Sequence, residues 1–220
     1  MGGTSGIGLA AARELAAAGA SVVIAGRRRE TLETALGQLG DAVRGTTVDA
    51  MDPDALRAFY AQLGTFDHLI LSLSTRGGGG PFRSQDVAAL RRGFDEKFWA
   101  YLAATQACLD TLRPGGSITF VTAASARMAV PGTTGPAAIN GALESMVRPL
   151  ALELRPTRVN AVSPGVVDTP WWDRVPAERR AAIFARAANA SPLGRIGRPE
   201  DVARAIRFLV EGSFLTGSII

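Results

Sequence analysis

The heptapeptide Gly2-Gly3-Thr4-Ser5-Gly6-Ile7-Gly8 runs directly into an alanine- and leucine-rich stretch that predicts a helix from Leu9 to Ala18. Its glycines at positions 2, 6 and 8 let the backbone turn tightly and approach a pyrophosphate. The free N–H groups at the start of the following helix point at such an anion. Taken alone the motif is weakly specific, because a glycine-rich turn without a ligand has the same composition.

A second feature follows about twenty residues further on, where the β-branched run Ser21 to Ala25 ends in Gly26-Arg27-Arg28. NAD-selective folds place an acid here, which holds the ribose 2'-hydroxyl and repels a 2'-phosphate. Arg27 can instead make a bidentate contact to that phosphate, and Arg28 is a second candidate. The alternative is a solvated basic loop. We expect NADP(H) as the cofactor.

Strand-like and helical stretches alternate along the chain, for example Ser117 to Val121 and then Ile139 to Leu154. This alternation predicts an α/β fold with a Rossmann-like, doubly wound parallel sheet. The length of 220 residues with 47% hydrophobic side chains indicates one domain, residues 1 to 220. The chain begins inside the glycine turn and stops at Ser218-Ile219-Ile220, so we expect it to be trimmed of its first strand and its C-terminal end.

Composition argues against several classes of protein. The net charge of +4 is spread along the chain and aromatic residues make up 6%, which disfavours nucleic-acid binding. No apolar run is long enough for a membrane span. Cys108 and His68 are the only cysteine and histidine, so we expect neither an internal disulfide nor a metal site. These features favour a cytoplasmic protein.

The chain resembles the short-chain dehydrogenase/reductase family over nearly its whole length, most clearly in Gly2 to Gly8, Arg158 to Pro170 and Arg198 to Ala203. The resemblance implies oxidoreductase activity, a small-molecule substrate, a substrate lid at about residues 171–190 and a homodimer or homotetramer. It places Asp49 near the adenine and the loop from Pro164 to Thr169 against the nicotinamide. The implied cofactor residues are Gly2, Thr4, Ser5, Gly6, Ile7, Gly8, Arg27, Arg28, Asp49, Pro164, Gly165, Val167 and Thr169.

The family's catalytic residues are a tyrosine, a lysine on the same helix face, a serine that orients the carbonyl, and an asparagine on the preceding helix. By the resemblance these positions hold, in that order, Pro136, Asn140, Ala123 and Lys97. Misalignment does not explain the loss, since Lys97 is the only lysine and the only tyrosines are Tyr60 and Tyr101. No shift of register can therefore create the missing pair.

Four residues are candidates for the remaining chemistry. Lys97 and Tyr101 are four apart on one predicted helix and form a reversed version of the missing pair. Asp168 precedes Trp171 and Trp172, and desolvation by these rings would raise the pKa of its carboxyl. Asn140 can orient a ligand but cannot supply a proton at neutral pH. Three of them have a structural alternative. Lys97 could be a surface lysine, Tyr101 an aromatic residue of the core or of a subunit contact, and Asp168 a cap of the following segment.

Hydride transfer and proton transfer are separable, and an iminium accepts hydride without an acid. The sequence therefore predicts an atypical NADP(H)-dependent reductase acting on a small, hydrophobic carbonyl or iminium compound. Two alternatives remain open: a catalytically inactive NADP(H)-binding subunit or sensor, and a non-redox enzyme that uses the same cleft.

Overall fold

A computed structural model describes residues 1 to 220 and contains five strands that alternate with helices. The strands are β1 Val22–Gly26, β2 Val43–Thr47, β3 Phe66–Leu71, β4 Leu112–Val121 and β5 Arg158–Val162. The helices are α1 Gly6–Ala17, α2 Arg29–Leu39, α3 Pro53–Leu63, α4 Val87–Gly93, α5 Ala100–Ala107, α6 Thr134–Glu153, α7 Ala177–Ala190 and α8 Pro199–Glu211.

All strand pairs are parallel, in the orders β1-β2 and β3-β4-β5. The first two residues join these groups, because the Gly2 N–H donates to the Ala25 carbonyl at 2.8 Å and the Ser72 N–H donates to the Met1 carbonyl at 3.0 Å. Elsewhere an apolar groove of about 580 Å³ separates β1 from β3. At the opposite edge the Ser163 N–H donates to the Ile220 carbonyl at 2.7 Å, and Ile219 forms a parallel bridge with Ala161 of β5.

Helices cover both faces of the sheet, which confirms the doubly wound α/β fold. On one face α3, α5 and α6 pack over β3 and β4, with the fully buried Phe120 and Leu143 in the core. On the other face α1 packs against α8, with Leu15 and Ile206 buried between them. None of the helices combines the length and the apolar character that crossing a membrane requires.

The residues from Phe94 to Leu112 have the composition of one helix, but the helix in the structure has other ends. It begins earlier, since a π-helical turn at Phe94–Trp99 continues α4 into α5, and α5 ends at Ala107. Leu112 starts β4 because it pairs with Phe66 in the parallel ladder, and this ladder competes successfully with helix propagation. In α6, Pro136 lies in the first turn, where its missing N–H costs little, and Pro149 lies inside the helix.

Candidate active site

The carboxyl ends of the parallel strands meet along one edge of the sheet, where doubly wound folds bind their ligands. The turn after β1 carries Arg27, the turn after β4 carries Ser125, and the loop after β5 carries Pro164. The Ala124 N–H donates to the Pro164 carbonyl at 2.8 Å and ties the last two together. The loops thus form one side of a cleft whose other side is the glycine turn.

The glycine turn has a backbone that larger residues cannot adopt. Gly6 has φ +52°, and a Cβ on Gly8 would lie 2.1 Å from the Gly2 carbonyl oxygen. The following helix α1 has no acidic residue in its first turn, and the Ser5 side chain does not cap it. Its first N–H groups are therefore free of side-chain acceptors, which suits a phosphate.

The basic side chains after β1 are also free. Arg27 and Arg28 are exposed and form no ion pair, whereas Arg29 pairs with Glu33 at 3.7 Å. Asp49 follows β2, and its Oδ1 accepts a hydrogen bond from the Met51 N–H at 3.0 Å. Two guanidinium groups without a carboxylate partner fit the 2'-phosphate of NADP(H).

The loop after β5 closes against the glycine turn. Val167 is buried and its backbone pairs with Gly197, and a Cβ on Gly6 would lie 3.3 Å from Thr169 Cβ. The glycine turn and the loop after β5, from opposite ends of the chain, therefore lie next to each other. They fit a dinucleotide that enters with its phosphates at the start of α1.

A buried polar chain lies beside this cleft. Lys97 Nζ, in the π-helical turn, donates to Asn140 Oδ1 of α6 at 2.8 Å. Asn140 Nδ2 lies 2.9 Å from the Pro136 carbonyl oxygen and 3.2 Å from Ser125 Oγ. Lys97 is 7% exposed and Asn140 is 6% exposed, so water screens neither of them.

Burial changes the acid strength of Lys97. No carboxylate forms an ion pair with the amine, and Asn140 is its only hydrogen-bond acceptor in the protein. Desolvation lowers the pKa of Lys97 from 10.5 to about 8, and the attraction of Glu144 opposes this shift. The site thus holds an ammonium group that can lose its proton close to neutral pH.

Comparisons with known proteins agree with this geometry. A family model described as enoyl-(acyl carrier protein) reductase matches residues 2–220. The chain belongs to the short-chain dehydrogenase/reductase family. Its oxidoreductase relatives include the cis-4-hydroxycyclohexanecarboxylate dehydrogenase of Sinomonas cyclohexanicum, which is 32% identical over 100% of this chain and 91% of the relative.

Two solved structures of this family are informative. A short-chain oxidoreductase from Pseudomonas aeruginosa PAO1, bound to NADPH and described as containing an atypical catalytic center, is 30% identical with a TM-score of 0.90. The MalC reductase/Diels-Alderase from Malbranchea aurantiaca is 27% identical, also with a TM-score of 0.90. In each case the similarity covers 100% of this chain and 91% of the other.

By the resemblance to the short-chain dehydrogenase/reductase family, lysine and asparagine are expected to have exchanged places. Lys97 stands at the position predicted for the family's asparagine, and Asn140 stands at the position predicted for its lysine. Such an exchange would keep one positive charge and one amide in the site. The charge would then come from the π-helical turn that carries Lys97 instead of from α6. The 2.8 Å hydrogen bond shows that the two side chains meet.

The predicted reversed pair of Lys97 and Tyr101 is wrong. The Tyr101 ring lies within 5.8 Å of Lys97 Nζ, but its hydroxyl points into the core, 2.7 Å from the Leu71 carbonyl oxygen and 2.8 Å from that of Val121. Complete burial raises the pKa of Tyr101. Tyr101 ties β3 to β4 at their carboxyl ends and cannot reach a substrate.

The desolvation predicted for Asp168 is also absent. Its side chain is exposed, because the Trp172 indole N–H turns away to donate to the Val167 carbonyl at 2.9 Å. The Trp171 indole N–H donates to the Thr75 carbonyl at 3.0 Å and links the segment after Pro170 to the loop after β3. Asp168 is therefore open to solvent.

Sequence reasoning missed a buried carboxylate at Glu144. Its Oε1 accepts from Thr122 Oγ1 at 2.9 Å and from Ser163 Oγ at 2.6 Å, while Arg127 Nε lies 3.3 Å from Oε2. The available signal was its position one turn after Asn140 on an otherwise apolar helix face. Glu144 fixes the ends of β4 and β5 and uses the Thr122 hydroxyl, so that hydroxyl is not free for a substrate.

Proposed function

We propose that this protein is an atypical NADP(H)-dependent reductase that transfers hydride to or from a small, hydrophobic carbonyl or iminium compound. The main support is a combination of two features. The start of α1 has no side-chain cap, and Arg27 and Arg28 at the end of β1 have no ion-pair partner. A phosphorylated dinucleotide satisfies both features at once. The NADPH complex of the Pseudomonas aeruginosa relative supports this choice of cofactor.

Bound NADPH supplies the hydride, and the protein supplies position and charge. The glycine turn and Arg27 would hold the phosphates of the cofactor, and the loop from Pro164 to Thr169, which lies against Gly6, would lie on its nicotinamide side. Lys97 places a positive charge behind the reacting centre, where negative charge develops on a carbonyl oxygen. Because no tyrosine is present there, the oxygen takes its proton from water.

The substrate we favour is a compact alicyclic ketone or the corresponding alcohol. The Sinomonas cyclohexanicum relative is named for a hydroxylated cyclohexane carboxylate, whose ring is small and apolar. The segment predicted as a substrate lid presents Trp172 edge-on to Phe184, with ring centroids 5.4 Å apart. Such an apolar wall suits a ring of this kind, and an exposed arginine nearby, Arg174, can meet its carboxylate.

The test has two stages. Protein fluorescence should report NADPH binding in the micromolar range and weaker NADH binding, and no binding of NADPH at millimolar concentration refutes the proposal. Absorbance should then report NADPH consumption with oxocyclohexanecarboxylate, butanedione and an N-methylated dihydroisoquinolinium cation, or NADPH formation from cis-4-hydroxycyclohexanecarboxylate. Binding without turnover of any of these compounds favours a sensor or inactive subunit.

A second candidate is a non-redox enzyme that keeps the cofactor cleft. It is favoured by one observation, the likeness to a protein described as both a reductase and a Diels-Alderase. Product formation with no change in NADPH absorbance would distinguish it from the reductase.

A further inference from the structure

We propose that Ser125 is the hydroxyl that polarises the substrate oxygen, and that Lys97 acts on it through Asn140. This assignment rests on the proposed reductase function and deepens it. By the resemblance, the family's carbonyl-orienting serine corresponds to Ala123, which has no hydroxyl. Ser125 would orient the substrate oxygen in its place.

The direction of the hydrogen bonds in this chain is fixed by chemistry. Lys97 can only donate, so the Asn140 atom that faces it at 2.8 Å must be the amide oxygen. The Pro136 carbonyl can only accept, so the Asn140 amide nitrogen must face it at 2.9 Å. The second amide hydrogen of Asn140 then points to Ser125 Oγ at 3.2 Å.

Ser125 is left with a hydrogen that no protein group accepts. Its oxygen receives the Asn140 hydrogen bond, and its own O–H donates to no atom of the chain. The side chain is partly exposed in the turn after β4, at the same edge of the sheet as Pro164. The other nearby hydroxyl, that of Thr122, is held by Glu144. Ser125 therefore supplies the one hydroxyl donor at this point of the cleft.

The positive charge at the start of the chain strengthens the donor at its end. Hydrogen bonds in series polarise one another, and burial of Lys97 and Asn140 keeps water from weakening the effect. An amide does not pass on a proton, so Ser125 stabilises the oxygen without neutralising it. Hydride adds to the carbonyl carbon, the C=O π electrons move to oxygen, and water protonates that oxygen and leaves as hydroxide.

An iminium compound offers a clean internal control, because it has no oxygen for Ser125 to polarise. Ser125→Ala should lower kcat for butanedione by about 100-fold, as expected for loss of one donor to a developing oxyanion. It should leave kcat for the N-methylated dihydroisoquinolinium cation within about twofold. Ser145→Ala is the matched control, since Ser145 lies on the exposed face of α6 and bonds only the Gly141 carbonyl. Asn140→Leu should reproduce the selective loss.

Each other outcome has a defined meaning. An equal loss for both compounds would assign Ser125 a structural role, and no loss for butanedione would remove it from the site; either result overturns the inference while leaving the reductase function intact. Absence of any change in NADPH or NADP with all four compounds named above, measured on the unaltered protein, overturns the reductase function and the role of Ser125 together. NADPH binding measured on every variant identifies a misfolded cofactor site.

Discussion

The substitution Lys97→Met tests the electrostatics of the site without any substrate. In the folded protein the pKa of Lys97 is about 8 instead of 10.5, which corresponds to about 3 kcal/mol of folding free energy. The lowered pKa means that the folded state binds fewer protons than the unfolded state between these two values. The destabilisation is therefore complete below about pH 8 and absent above about pH 10.5.

Methionine removes this cost but leaves Asn140 Oδ1 without its donor. Loss of that buried hydrogen bond costs about 1 to 2 kcal/mol and does not depend on pH. At pH 7 the free energy gained by removing the buried charge exceeds the free energy lost with the hydrogen bond. The variant should therefore be more stable than the unaltered protein by about 1 to 2 kcal/mol. As the pH rises above 8, the unaltered protein should gain up to about 1.4 kcal/mol per pH unit on the variant, and the order of stability should reverse between about pH 9 and about pH 10.

Urea denaturation of both proteins at pH 7, 8.5 and 10 measures this difference, and the contributions of all other titrating groups cancel. Lys97 is the only lysine, so protein labelled with ¹³C at lysine Cε gives a single signal whose titration reports its pKa directly. A stability difference that stays constant across this pH range, with a lysine signal that titrates near 10.5, would refute the reasoning.

Three further predictions follow from named contacts. Arg27→Ala should weaken NADPH binding by about 10- to 100-fold and leave NADH binding unchanged, because it removes only a phosphate contact; equal weakening of both cofactors contradicts the role of Arg27. Gly8→Ala places a Cβ 2.1 Å from the Gly2 carbonyl oxygen and should abolish NADPH binding in a fluorescence titration, whereas Gly37→Ala, where a Cβ meets nothing within 4 Å, should not. Tyr101→Phe should lower the free energy of unfolding in urea by about 1 to 2 kcal/mol without changing NADPH affinity; a collapse of turnover in a normally folded variant would return Tyr101 to catalysis.

The exchange of lysine and asparagine could be located from sequence, but its geometry could not. The resemblance to the family assigned Lys97 and Asn140 to the positions of its asparagine and its lysine. Their contact spans 43 positions of the chain, and it forms because the π-helical turn at Phe94–Trp99 and helix α6 pack side by side. Periodicity within one helix placed Lys97 beside Tyr101 instead, and the structure retains only the ring contact.

The sequence by itself determined the order of strands and helices, the glycine turn and the absence of a Tyr-x-x-x-Lys pair, because turn-forming glycines, hydrophobic period and residue counts are local properties. Only the tertiary structure decided the directions of polar side chains. Tyr101 turns to backbone carbonyls, Asp168 to solvent, and Glu144 to two hydroxyls and a guanidinium group. Each buried polar atom must find a partner, and those partners come from strands and helices far apart in the chain.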